Sequence, residues 1–174
     1  MWKNRKSDVR TLVLMALLTA MEIVLSRFLS FAVWNMKIGF AFVPVVIAAI
    51  LLGPIKAAII AALADFVGAI LFPIGAYFPG FTLTTALMGL VFGLFLHEKQ
   101  SLPRVIGAVS INQLVLSLCL NTLWISILYD SVFTPLLVTR LTQCAVLIPV
   151  QILVIGIMTK TFGAYLQRTA LRLA

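Results

Sequence analysis

Two stretches set the terms for the rest of this chain. Val105 to Tyr129 contains no charged residue, and neither does Leu141 to Thr159. Each approaches or exceeds the ~20 apolar residues that carry a helix across the hydrocarbon core of a bilayer. In lipid the backbone has no water to bond, so a spanning segment closes its hydrogen bonds as a helix or within a closed barrel. The period-two alternation of a barrel strand is missing. Composition points the same way. Of 174 residues, 63% are hydrophobic and 10% are charged, and mean hydropathy is +1.16. A soluble domain is about half apolar and about one quarter charged. The expectation is an all-α integral membrane protein, with residues 1–174 forming a single membrane domain.

Glycine, proline and short polar runs divide the chain into six helices. They are expected at 9–28, 40–52, 56–71, 82–96, 105–128 and 136–162, with Pro149 as a kink in the last. Ser30–Gly39 reads as a polar and aromatic connection, and the second helix stops at Gly53-Pro54. With six helices both termini share one side. That side holds ten Lys and Arg residues, from Lys3 to Arg172, against three elsewhere: Arg27, Lys37 and Arg140. The excess of basic residues makes the terminal side cytoplasmic. The net charge of +8 is therefore an orientation signal, and nothing points to nucleic acid. The basic N-terminal run MWKNRKSDVR is read as a retained cytoplasmic flank, because no small-residue cleavage site follows it.

The three remaining basic residues carry the chemistry. A basic group inside a span costs on the order of 2.5–3.5 kcal/mol at the helix centre, and less near the ends. By topology Arg27, Lys37 and Arg140 all lie toward the outer face. Their guanidinium forks and ammonium suit an anionic substrate, carboxylates above all. The competing readings are snorkelling, pairing with the intramembrane acids Glu22 or Asp65, and, for Lys37, a solvated loop charge. Glu22 and Asp65 could equally accept hydrogen bonds from a ligand. Asn121, Trp124, Gln143 and the threonines opening the fourth helix (Thr82, Thr84, Thr85) reach the same level. The break FPIGAYFPGF at 72–81 crowds Phe72, Tyr77, Phe78 and Phe81 into one turn. Such rings form either a membrane-interface belt or a stacking platform for a flat ligand. Ala16 and Ala20, four apart, mark a flat face on the first helix, for internal packing or for a partner helix.

An enzyme is not expected. His97 is the sole histidine and reads as a solvated loop residue, and Cys119 and Cys144 read as small packing residues, so no cofactor or metal site is expected. There is no G-x-x-x-x-G-K-[ST] phosphate loop. If the chain moves a solute uphill with ATP, another chain hydrolyses it.

LSRFLSF at Leu25–Phe31, KIGFAFVPVVIAAILLGP at Lys37–Pro54 and ALADFVGAILFPIGAYFPGFTLTTALMGLVFGLFL at Ala61–Leu96 carry a resemblance over essentially the whole chain. The sequence resembles the S components, the substrate-binding membrane subunits, of energy-coupling factor vitamin transporters, most closely the folate-specific member. The resemblance implies a six-helix fold with cytoplasmic termini in the bacterial plasma membrane and an external pocket roofed by the loop after the first helix. It also implies docking, through the Ala16 and Ala20 face, onto a transmembrane coupling protein above two ATPases, and delivery by toppling of the subunit in the membrane. Folate has a flat, hydrogen-bonding pterin and a glutamate tail with two carboxylates. The expected substrate contacts are Arg27, Lys37, Phe78, Thr82, Asn121, Trp124, Arg140 and Gln143. The alternatives are an S component for thiamine, riboflavin or pantothenate, or a membrane scaffold subunit without a small ligand.

Overall fold

The computed structural model describes residues 3–33, 36–130 and 133–173, with side chains described over 9–30, 39–130 and 136–161. In chain order come α1 (Lys3–Arg27), β1 (Ser30–Val33), β2 (Met36–Gly39), α2 (Phe42–Leu52), α3 (Pro54–Leu71) and α4 (Pro79–Leu96). Next are α5 (Leu102–Ser110), a π-helical stretch (Ile111–Leu120), α6 (Asn121–Tyr129) and α7 (Phe133–Leu173). The α5, π and α6 segments follow one another without a break as a single span, Leu102–Tyr129. Among the described residues five helices are long and apolar enough to cross a membrane, and α2 is a shorter apolar sixth. The expected all-α, six-helix architecture is therefore present.

The helices begin earlier than their prolines suggested. α3 starts at Pro54 rather than Lys56, α4 at Pro79 rather than Thr82, and α5 at Leu102 rather than Val105. In each case a proline occupies the first turn. An N–H there has no partner inside the helix, so losing it is free, and the fixed φ is already helical. α7 likewise runs beyond 162 through the basic tail, with Pro149 inside it. The connection after α1 is not plain loop but an antiparallel hairpin, with Ser30 opposite Gly39 and Ala32 opposite Lys37. Four-residue strands are too short for alternation to register, yet pairing closes backbone hydrogen bonds that a membrane environment would leave open. A Cβ on Gly39 would fall 2.6 Å from that of Ser30, so the pairing needs glycine there.

α2 is the centre of the bundle. Its 11 residues rise only about 16 Å, and Val46, Ala48, Ala49 and Ile50 are fully enclosed. Together with Ile60, Ala57, Phe92, Leu96, Val109 and Ile155 they form the apolar core. α2 ends because Gly53 adopts φ +85 and ψ −179, a region essentially restricted to glycine. His97, at the end of α4, packs over this glycine, and its Nδ1 donates to Ile50 O at 3.2 Å. The histidine expected to be solvated is thus exposed but engaged, closing the α2–α3 break. α3 and α4 approach so closely that glycines are needed. A Cβ on Gly93 would lie 2.2 Å from Pro54 Cα, and one on Gly89 would lie 2.7 Å from Ala57 O.

α1 shows a clean helical division. Thr11, Leu18, Glu22 and Ser26 face inward, while Leu12, Ala16, Leu17, Ala20 and Val24 are exposed. Ala16 and Ala20 therefore do not pack internally; they lie on the outer face of the bundle. The end of α1 that leads into the hairpin, the α3–α4 turn and the last residues of α6 gather at one end of the bundle, the hairpin end, where Phe28 meets Phe72 and Gly75 faces the Tyr129 hydroxyl. The α2–α3 break and the α4–α5 loop lie at the other.

Candidate functional site: a polar cavity at the hairpin end

A cavity of ≈ 210 Å³ opens among α1, α2, α3, α4, the Leu102–Tyr129 span and α7. Helical periodicity builds its wall. α7 contributes Arg140, Gln143, Leu147 and Gln151, spaced three, four and four apart on one face. The long span contributes Gln113, Ser117 and Asn121, and α1 contributes Glu22 and Ser26. The first two of the long-span residues lie in the π-helical stretch, whose wider winding keeps residues four apart on one side. Asp65 of α3 and Thr85, Met88 and Phe92 of α4 complete one flank, and Phe42 and Val45 of α2 supply the apolar one. Gly39 of the hairpin also lines the cavity, and β2 lies against α7. The cavity thus combines an apolar flank with a polar face carrying one guanidinium, two carboxylates, four side-chain amides and hydroxyls. Such a mixture orients an amphipathic, hydrogen-bonding ligand.

Beside it lies an ion cluster. Arg27 Nη2 is 3.6 Å from Asp65 Oδ1 and donates to Asp65 O at 3.3 Å. Thr82 Oγ1 donates to Asp65 Oδ2 at 2.9 Å, and Tyr77 Oη lies 3.2 Å from Thr82 Oγ1. The Arg27 guanidinium crosses Gly68 so closely that a Cβ there would fall 2.8 Å from Nε. This cluster ties the end of α1 to α3 and to the turn before α4. Asp65→Ala is expected to lower the melting temperature in detergent, because it strands a largely buried Arg27. Removing one partner of a fully buried pair costs about 3–5 kcal/mol. The loss here is expected to be smaller, since the Asp65 side chain keeps 18% exposure. The double variant Arg27→Met/Asp65→Leu is expected to recover part of it.

Of the residues expected from sequence, the structure brings Asn121, Arg140 and Gln143 onto the cavity wall. Arg27 and Thr82 stand just behind it, both bonded to the wall residue Asp65. Phe78 and Trp124 pack on each other with ring centroids 5.5 Å apart, and Trp124 Nε1 donates to the buried Thr84 Oγ1 at 3.0 Å. They brace the α4 start against α6, over Gly80, rather than lining the cavity. Lys37 sits on β2, but its side chain lies outside the described residues. Of the other hinge rings, Phe81 meets Phe78 edge-on, while Phe72 and Tyr77 are exposed and meet Phe28 and Phe66 edge-on. Sequence reasoning passed over Ser26, Gln113, Ser117 and Gln151. Their signal was available: polar residues recurring four apart within otherwise apolar spans, in register with Asn121 and with Gln143.

The profile of the family described as "ECF transporter, substrate-specific component" matches residues 10–168. The chain belongs to this family. This S component is thus a subunit of a transport system and not an enzyme, and it is a multi-pass protein of the cell membrane. It is 39% identical over 148 residues to a folate transporter FolT of Clostridium novyi, covering 84% of this chain and 86% of that one. It is 34% identical over 158 residues to a folate transporter FolT of Leuconostoc mesenteroides, covering 87% and 85%. A crystal structure of FolT bound with folic acid matches this S component with a TM-score of 0.84 at 33% identity, over 88% of this chain and 94% of that one.

Proposed function

We propose that this chain is a folate-specific S component. The observation that carries the reading is the pairing of one buried guanidinium, Arg140, with a long amide-lined face in a cavity half walled by apolar side chains. Folate asks for such a combination: a cation for its carboxylates and donor and acceptor groups for a flat ring. The FolT relatives and the folic-acid-bound neighbour support the same substrate. Arg140, Gln143 and Asn121 are proposed to contact substrate directly. Arg27 and Thr82 act through Asp65, and Phe78 and Trp124 set the position of the α4 start. Lys37, on β2, is proposed as a second cation for the substrate.

The terminal side is proposed to be cytoplasmic, on the ten-against-three distribution of basic residues. The hairpin end then opens outward, and folate enters from the external face. Delivery is proposed to follow the family scheme, with a coupling protein and two ATPases supplying the energy and this subunit toppling in the membrane. The exposed Ala16 and Ala20 face is the proposed contact for that coupling protein, because small side chains let another helix come close.

The test is uptake of radiolabelled folic acid by bacterial cells lacking folate import. Cells co-expressing this chain with a coupling protein and ATPases are expected to accumulate label, and cells lacking any one component are not. Accumulation of labelled thiamine or riboflavin instead, or no accumulation of any vitamin with all components in the membrane, would overturn the proposal.

A further inference from the structure

A second cavity lies at the end of the bundle away from the hairpin, where the substrate site makes no use of it. This cleft of ≈ 430 Å³ is lined by Leu94 and Phe95 in the last turn of α4, by His97 and Glu98 just after it, and by Arg104 in the first turn of α5. Two of its polar side chains are taken: His97 holds Ile50 O at 3.2 Å, and Glu98 has a partner of its own. Arg104 is half-buried, and its guanidinium makes no ion pair or hydrogen bond among the described residues.

The cleft straddles a boundary. One apolar span ends at Leu96 and the next begins at Leu102. Leu94 and Phe95 therefore stand at the edge of the hydrocarbon, and the long Arg104 side chain reaches from there to headgroup depth. Leu94 is exposed. Phe95 closes the wall between α4 and α5, its ring 3.1 Å from where a Cβ on Gly107 would lie. The ten-against-three excess of basic residues accounts for a charge on this side. It does not account for an unpaired charge set in a cleft with an apolar wall.

We infer that this cleft binds one anionic phospholipid. The lipid phosphate pairs with the Arg104 fork, whose parallel N–H groups match phosphate oxygens. An acyl chain descends along Leu94 and Phe95. Lys99, exposed on the loop between α4 and α5, adds positive charge beside the headgroup and favours an anionic lipid over a zwitterionic one. With the terminal side cytoplasmic, the lipid belongs to the inner leaflet, whose surface is negative. The inference stands apart from the folate reading, because no residue of this cleft lines the substrate cavity.

The experiment is native mass spectrometry of the purified S component in detergent, where no charged bilayer surface is present. It is titrated with phosphatidylglycerol, with phosphatidylcholine of the same chains, and with glycerol 3-phosphate, which has the phosphate without the chains. Wild type is expected to bind one phosphatidylglycerol more tightly than phosphatidylcholine, and glycerol 3-phosphate far more weakly than either. Arg104→Gln is expected to weaken phosphatidylglycerol by about tenfold while melting with wild type in lipid-free detergent, since no protein contact is lost. Arg104→Lys is expected to fall between. Lys160→Gln removes the same charge from an exposed position outside the cleft and is expected to change the affinity by less than about twofold. On wild type alone, phosphatidylglycerol with a photoreactive group near the head of its acyl chain is expected to label mainly residues 93–104.

Unchanged phosphatidylglycerol binding in Arg104→Gln would overturn the inference. So would equal weakening by Arg104→Gln and Lys160→Gln, which marks a general charge effect, or labelling spread evenly over the exposed spans. Equal binding of the two lipids would remove the anionic headgroup from the account. Glycerol 3-phosphate binding as tightly as phosphatidylglycerol would make a free phosphate the ligand and overturn the lipid.

Discussion

Gly93→Leu is expected to abolish the folded state. The Cβ that any other residue brings would lie 2.2 Å from Pro54 Cα and 2.7 Å from Pro54 N and Cβ, at the α3–α4 crossing. These are mainly backbone atoms at the start of a helix, and they cannot swing aside as a long side chain would. Accommodation means separating α3 from α4, the most intimately packed pair among the described helices. Overpacking a core costs about 1–3 kcal/mol when neighbours can adjust, and more when they cannot. In a membrane the loss is not offset by hydrophobic burial, because helix association there rests on close packing. Gly93→Ala is expected to lower the melting temperature, and Gly93→Leu to yield no monodisperse protein in detergent. Gly156→Ala is the control, since the nearest atom to its added Cβ is Leu102 Cδ1 at 3.9 Å. A Gly93→Leu protein that melts with wild type would show that the crossing is not required.

Arg140→Ala is expected to remove folate binding. Arg140 is 6% exposed, two turns into α7, on the cavity wall and beside Gln143. Breaking a buried, hydrogen-bonded charge pair between partners costs about 2–5 kcal/mol, which corresponds to a roughly thirtyfold to several-thousandfold weaker complex. Arg140→Lys is expected to fall between, because a single ammonium replaces the charge but not the planar fork. The assignment to the glutamate tail has its own signature. Pteroic acid lacks that tail, so its affinity is expected to fall much less in Arg140→Ala than that of folic acid. Equal losses for both ligands, in a variant of wild-type stability, would move Arg140 away from the tail.

Much of this was legible in the residues. The uncharged runs 105–129 and 141–159 dictated spanning helices, and Gly53-Pro54 marked the end of α2. Arg140 stood out because lipid penalises its charge so heavily. What the sequence could not convey was the direction each polar side chain takes. Arg27, just as conspicuous, is absorbed by Asp65, 38 positions away; Asp65 was one of the two acids open to it, and spacing did not say which of them it would meet. The Trp124 ring turns to Phe78 and its N–H to Thr84, directions that its position in the span does not fix. Gln151 was hidden for the opposite reason. A lone amide in an apolar span is cheap enough to pass as filler until its burial and its neighbours are known. The hairpin was hidden by its length, and the early helix starts by reading each proline as a stop when it sat in a first turn.

Isothermal titration of the purified, detergent-solubilised S component with folic acid, with thiamine and riboflavin alongside, tests the folate assignment most directly. Tight 1:1 binding of folic acid is expected, with no heat from the other two. A folded protein that ignores folic acid, or that binds thiamine or riboflavin in its place, would contradict the assignment and leave only the six-helix architecture standing.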